Sequence, residues 1–235
     1  NASKIDLAQV CKENNLSIAM DGRIEAALLL HTNTSLDSHL QLQSNEFSIE
    51  ERRFTKVKLD LKKVEEHLQV WAIFKTADIK NQGIWLNYFM DTQRFDARAD
   101  LVYKENQHNL LIDINGTHDD KTVKSSIQAR VADSFLKMDD IVYTLVSKSL
   151  QSSFALHLLR LQNHGFLLKQ LGFPLKGDFT AGGKVLYTHN KINVSAHTKS
   201  LGGVLDVDYD GNTTQWQGQG IQITKVTDLL AQKPV

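Results

Sequence analysis

The sequence predicts a mainly β protein: one long, curled antiparallel sheet, an open groove or a partial barrel, with two or three short helices. Three observations carry this. Apolar and polar residues alternate with period two over most of the chain, there are 2 prolines in 235 residues, and Asn, Asp and Gly cluster between the alternating runs. Proline cannot donate to a β ladder, so its scarcity suits a chain made of strands.

The alternation begins at Ile24, Ala26, Leu28 and Leu30. It continues through Leu40 and Leu42, then Val57, Leu59 and Leu61, then Leu68, Val70 and Phe74, then Ile84, Leu86 and Tyr88. Beyond Phe95 come Ala97, Ala99, Leu101 and Tyr103, then Leu110, Ile112 and Ile114, then Ile127, Ala129 and Val131. The last third repeats the scheme at Phe154, Leu156 and Leu158 and in segments 179–187, 192–196, 205–209 and 213–218. Segment 138–150 fits either a helix or a strand and is assigned to strand. Corners are expected at Asn14-Asn15, Asp21-Gly22, Asn81-Gln82-Gly83, 104–109, Asn115-Gly116, 118–121 and Asp210-Gly211-Asn212. Three segments have helical spacing: 5–10, 166–171 and 226–230, the first and last each reading as an Asp-capped apolar turn. Glycine-led strands follow at Gly22 and Gly177, which suggests a weak internal repeat. The chain therefore reads as one elongated β-rich fragment, 1–235, with 1–160 and 161–235 as its repeat units.

Composition narrows the function. Hydrophobic residues make up 41% and charged residues 23%, enough for a folded, water-soluble chain. Basic and acidic residues balance at 27 each without a basic block, which argues against a nucleic-acid partner. The single cysteine, Cys11, has no partner for a disulfide and reads as a small buried residue. LAQVC at 7–11 has no apolar stretch before it and is not read as a lipoprotein signal, and the apolar run 26–30 is too short to span a bilayer. The first residue is Asn, the mark of an excised fragment, so targeting or membrane-anchoring segments are expected outside it.

The search for reactive chemistry assigns no catalytic residue, no metal ligand and no cofactor. The histidines lack ligand spacing, and His118-Asp119-Asp120 falls in an expected turn. Asp139 and Asp140 are neighbours that point to opposite faces of a strand, which makes no acid–base dyad. Nucleophile-elbow and Walker signatures are missing, and Gly218-x-Gly220 does not complete a dinucleotide motif. Gly182-Gly183 and Gly202-Gly203 read as bulges or tight turns. Aromatic residues between Trp71 and Tyr103 read as strand-face packing. Asn-x-Ser/Thr triplets begin at Asn1, Asn15, Asn33, Asn115, Asn193 and Asn212, a pattern that strands rich in Ser and Thr generate freely. The chain reads as non-enzymatic.

So many amphipathic strands with so few helices must curl on themselves. An open, curled sheet would present an apolar lining suited to lipid acyl chains, since each buried methylene is worth about 0.8 kcal/mol without directional chemistry. The expected lipid-facing residues are Ile112, Ile114, Ile127, Ala129, Val131, Leu156, Leu158, Val194, Leu205 and Val207. The alternative is an extracellular adhesin or carbohydrate-binding β-sandwich with Trp71, Trp85 or Trp216 exposed.

Residues 166–230 resemble the repeat of the AsmA-like family, the TamB- and YhdP-type envelope proteins. In that repeat a short helix ends near a proline, a Gly-led strand follows, a Gly-Gly pair opens the next strand, and a strand of alternating polar residues leads into another "DLL" helix. Leu171, Pro174, Gly177, Gly202, Gly203 and Asp228-Leu229-Leu230 occupy those places, and Ile5-Asp6-Leu7-Ala8 fits the same helix. The resemblance implies a periplasmic β-groove, anchored to the inner membrane of a Gram-negative bacterium. It would bind or conduct phospholipid and support outer-membrane assembly or homeostasis together with other envelope proteins.

Overall fold

The structure, a computed structural model, describes residues 2–13, 20–32, 36–50, 52–77, 79–103, 109–164 and 175–230. Antiparallel strands dominate it, as the alternation predicts, and the chain divides into two compact units, 1–115 and 116–235. The repeat boundary near residue 160 lies inside the second unit. Strands β1 (Ala2–Asp6), β2 (Met20–Thr32), β3 (Leu36–Ile49), β4 (Arg52–Val64), β5 (His67–Lys75), β6 (Ile79–Phe89) and β7 (Arg94–Tyr103) belong to the first unit. Strand β8 (Asn109–His118) spans the division. The second unit holds β9 (Thr122–Val131), β10 (Ser134–Thr144), β11 (Ser149–Leu158), β12 (Phe179–Thr188), β13 (Lys191–Thr198), β14 (Val204–Tyr209) and β15 (Thr214–Gln219). Within each unit the hydrogen-bonded order is the chain order, and among the described residues neither sheet closes into a barrel. Of segment 138–150, assigned to strand, residues 138–144 end β10 and 149–150 begin β11, while 145–148 form the turn between them.

Helix α1 (Leu7–Glu13) starts two residues later than its apolar spacing suggests, because Ile5 is taken into β1 opposite Ile24. Asp6 is its cap: its Oδ1 accepts from the backbone N–H groups of Ala8 at 3.0 Å and Gln9 at 3.2 Å. Helix α2 (Ile223–Leu229) lies where the last helix is expected, but Gln222 is its cap residue and makes no side-chain cap, while Asp228 sits inside the helix. The expected helix at 166–171, the corner at Asn14-Asn15, residues 104–108, and Leu171 and Pro174 lie outside the described residues, as does the Cys11 side chain.

Three expected corners are strand interiors. Asp21-Gly22 lies in β2, where the β2–β3 register shifts between Gly22 and Glu25 and Gly22 adopts φ 119°. Asn81-Gln82-Gly83 lies in β6 beside another shift, and Asn115-Gly116 lies within β8. The first two are β-bulges, which need a flexible residue as a turn does but bend the strand instead of reversing it. The corners at 118–121 and 210–212 are turns. They share one design. Asp119 Oδ1 accepts from Lys121 N at 2.8 Å and Thr122 N at 2.7 Å, and its Oδ2 accepts from the Thr122 hydroxyl at 2.8 Å. Asp210 does the same with Asn212 N at 2.9 Å, Thr213 N at 2.8 Å and the Thr213 hydroxyl at 2.9 Å.

These bonds hold both carboxyls below their ordinary value of 3.8, chiefly through the backbone N–H of Lys121 at Asp119 and that of Thr213 at Asp210. Groups depressed in the folded state stabilise it above their unfolded pKa, and that support is lost as pH falls through the folded pKa. Asp119→Ala and Asp210→Ala should therefore lower the melting temperature at pH 7. The difference from the parent should vanish as the pH is taken well below 3.8, as followed by circular dichroism at a series of pH values.

Gly182-Gly183 is neither bulge nor turn. The pair lies inside β12 in unbroken register, with Gly183 opposite Phe154 on β11 and Ala196 on β13. A Cβ on Gly183 would stand 2.1 Å from Ser195 O and 2.8 Å from Ala196 Cα, so the glycine is required by close approach of the neighbouring strand. Gly183→Ala should cost about 3 kcal/mol, at the upper end for single substitutions. Gly177→Ala meets nothing within 4 Å at φ 86° and should cost about 1 kcal/mol. Urea unfolding of the two variants checks the contrast.

Candidate functional site

Residues directly opposite one another on antiparallel strands share a sheet face, so the register sorts every strand into two faces. In the first unit one row across β2 to β7 reads Ala26, Leu42, Leu59, Ala72, Ile84 and Ala99. The next row on that face reads Leu28, Leu40, Leu61, Val70, Leu86 and Ala97. The row between them, on the opposite face, reads Ala27, Gln41, Asp60, Trp71, Trp85 and Arg98. One face is hydrocarbon and the other largely polar. Arg98 Nε lies 3.9 Å from Asp113 Oδ1, which puts Asp113 on the polar face and, by alternation, Ile112 and Ile114 on the apolar one.

The second unit repeats the division. Ile127, Met138, Phe154, Gly183, Ala196, Val207 and Trp216 form one row across β9 to β15. The row behind, on the other face, is Gln128, Lys137, Ala155, Gly182, His197, Asp206 and Gln217. Of the residues expected to face lipid, Ile127, Ala129, Val131, Leu156, Leu158, Val194, Leu205 and Val207 therefore stand together on one face of this unit. Phe154, the start of the run that continues to Leu156 and Leu158, stands on it too, as do Leu136 and Met138, which the sequence did not single out as lipid-facing. Their signal was the alternation of 134, 136 and 138, obscured where the bulge at Asp139-Asp140 breaks the period.

Among the described residues no second sheet packs over these apolar faces. Strands pack against their sequence neighbours, and α1 packs against β1 and β2. Leu161 is fully buried, and Ile141, Ser134, Ser152 and Thr198 are buried on the apolar face of the second unit, while Leu28 is 51% and Trp216 75% exposed. A sandwich of this length would bury its two inner faces against each other. Each unit instead presents a single amphipathic layer.

The polar face carries ordinary surface chemistry. Asp60 receives His39 Nε2 and Gln41 Nε2, both at 2.9 Å. Burial pushes its carboxyl up, but hydrogen bonds from Gln41 and His39 and the nearby positive charges outweigh this and hold it below 3.8. Trp71 and Trp85 are cross-strand partners on this face, and Trp85 lies over Gly83, where a Cβ would come within 2.3 Å of its ring. His118 and Asp120 flank the Asp119 turn. Among the described residues no group of His, Cys, Asp and Glu is placed to hold a metal ion, and no helix is long and apolar enough to cross a membrane. One serine–histidine pair stands out, Ser134 Oγ and His164 Nε2 at 2.8 Å. Ser134 is 4% exposed and its Oγ also accepts from Leu159 N at 2.8 Å, so the pair fastens the end of β11 and is not a free nucleophile.

The fold and site thus define a class: a mainly antiparallel β protein whose described residues form single-layer sheets with one apolar and one largely polar face. No protein-family model, curated protein or solved structure matches the chain.

Proposed function

We propose that this chain is the periplasmic segment of an AsmA-like envelope protein, a non-enzymatic carrier that binds or conducts phospholipid along the apolar faces of its sheets. The hydrocarbon rows carry the reading. They offer acyl chains contact over many strands, and burying ten methylenes would contribute roughly 8 kcal/mol. The AsmA-like assignment is supported by the order of features in 175–230. Gly177 at φ 86° precedes β12, Gly202-Gly203 opens β14, and the polar, wholly exposed strand β15 leads into α2 and the Asp228-Leu229-Leu230 end. On this reading the segment is held at the inner membrane of a Gram-negative bacterium by parts of the protein outside it, works with other envelope proteins and supports outer-membrane assembly.

The test is native mass spectrometry of detergent-free protein. Bound species at phospholipid masses, released by organic extraction, are the expected result. Lipid-free protein after expression in a Gram-negative host, together with hits on a glycan array, would replace this reading with that of a carbohydrate-binding module.

A further inference from the structure

We propose that the first unit carries a second, separate site, a phosphate-binding cradle on the polar side of its sheet. A line of irregularities crosses β2 to β5 at one level. The register shifts between Gly22 and Glu25, between Thr55 and Lys58, and between Ala72 and Lys75, and Lys56 adopts φ 53° in the middle of β4. Bulges re-aim side chains and bend the strand. Here they open a cavity of about 760 Å³.

Arg23, Lys56, Lys58 and Lys75 border this cavity from three strands, with Ile73 and Phe74 as its apolar part. Two carboxylates border it as well: Glu25 accepts from Gln43 Nε2 at 2.8 Å, and Glu46 pairs with Arg53, so the four cations of the lining exceed its carboxylates by two. Among the described residues the four cations have no carboxylate partner. The net positive lining favours an anion, and Lys56, a non-glycine residue held at positive φ, marks the strained point of β4 beside it. In a chain whose charges sum to zero, the local excess is a feature of placement.

Lysines acting as point charges suit a phosphate group, and Ile73 with Phe74 suits the carbon side of its ester. The row Glu25, Gln43, Lys58 and Ile73 lies on the face opposite the hydrocarbon rows, so the site does not rest on the lipid-carrier reading. Its ligand is a phosphate ester, supplied either as a soluble monoester or as the headgroup of an anionic phospholipid.

Amide chemical shifts of the whole chain, titrated with glycerol 3-phosphate, test the proposal beside sedimentation with vesicles containing phosphatidylglycerol. Saturable shifts clustered at 43–46, 56–58 and 73–75 are expected, weakening with added salt. Lys56→Gly is the informative variant because glycine accepts φ 53°. It should melt no lower than the parent yet bind at least about tenfold more weakly together with Lys58→Gln, while Lys184→Gln leaves binding unchanged. Response to the soluble ester alone identifies a solute site, and response to the vesicles alone that depends on Lys56 and Lys58 identifies a headgroup site. The proposal falls if neither probe gives a saturable response, if the shifts scatter over the chain, or if the Lys56→Gly/Lys58→Gln protein binds as tightly as the parent. Vesicle binding abolished by Leu42→Glu but indifferent to the lysines also overturns it, and leaves the lipid-carrier reading standing.

Discussion

Leu156→Glu is expected, on the lipid-carrier proposal, to strip bound phospholipid from the protein without unfolding it. Leu156 stands between Leu136 and Ala181 in the apolar layer of the second unit and is half-buried in a face over which no second sheet packs among the described residues. Contact with a leucine side chain is worth roughly 1.5–3 kcal/mol, so its loss alone weakens lipid binding by about 10- to 100-fold. A carboxylate facing hydrocarbon adds a desolvation cost to that. The glutamate can still turn to water, so circular dichroism and melting temperature should change little. The adjacent Ala155→Glu is the control, since Ala155 points to the polar face between Lys137 and Gly182. Lipid content by mass spectrometry should fall for the first variant and hold for the second. Equal lipid content in both would place the lipid elsewhere on the protein.

That a change of one position reverses the expected outcome follows from the two-residue period of a strand, and the same period is why so much of this fold is legible in the sequence. Leu40 and Leu42, Leu59 and Leu61, Ile84 and Leu86 announce strands and their apolar face together, and the strands pair in chain order as short connections require. The corners are less legible, because the chemistry of a turn and of a bulge overlaps. Gly22 and the Asn81-Gln82-Gly83 segment have turn composition but sit at bulges. Reversals occur instead at Glu65-Glu66, Ala132-Asp133 and His189-Asn190, where Glu65, Ala132 and His189 carry positive φ with no glycine to announce it. The polar cradle was invisible for a related reason. Arg23, Lys56, Lys58 and Lys75 are scattered along the chain and look like ordinary solvated residues until the register brings them to one cavity. Asp119 and Asp210 were recognisable as turn residues, but their shared Asp-x-x-Thr bonding pattern becomes meaningful only with the threonine hydroxyl in place.

Leu161→Ala is expected to cost the second unit about 2–5 kcal/mol, the range for removing a fully buried leucine. Leu161 is 1% exposed in a chain whose other large apolar side chains mostly lie half-buried on open faces. It opens a 3-10 turn, Leu161–Asn163, that leaves β11 through Arg160 at φ 51°. The backbone there is pinned from several sides. Leu161 N donates to Gly177 O at 2.8 Å, Arg160 N donates to Asp178 Oδ1 at 2.9 Å, and Gly177 N donates to Gln162 Oε1 at 3.1 Å. His164 closes the junction through Ser134. With the chain fixed so firmly, the cavity left by truncation cannot collapse, and the cost should lie toward the upper part of that range. Leu205→Ala, on the open face, loses less contact and leaves no enclosed void, so about 1 kcal/mol is expected. Because two compact units need not unfold as one, denaturant unfolding should be followed by a probe in each. Leu161→Ala should move the transition reported from β11 and β12 and leave that reported from β3 and β4 in place. A loss below about 1 kcal/mol for Leu161→Ala would mean that the single-layer sheet carries its stability in the strand ladder alone, with no enclosed core at the junction of β11 and β12.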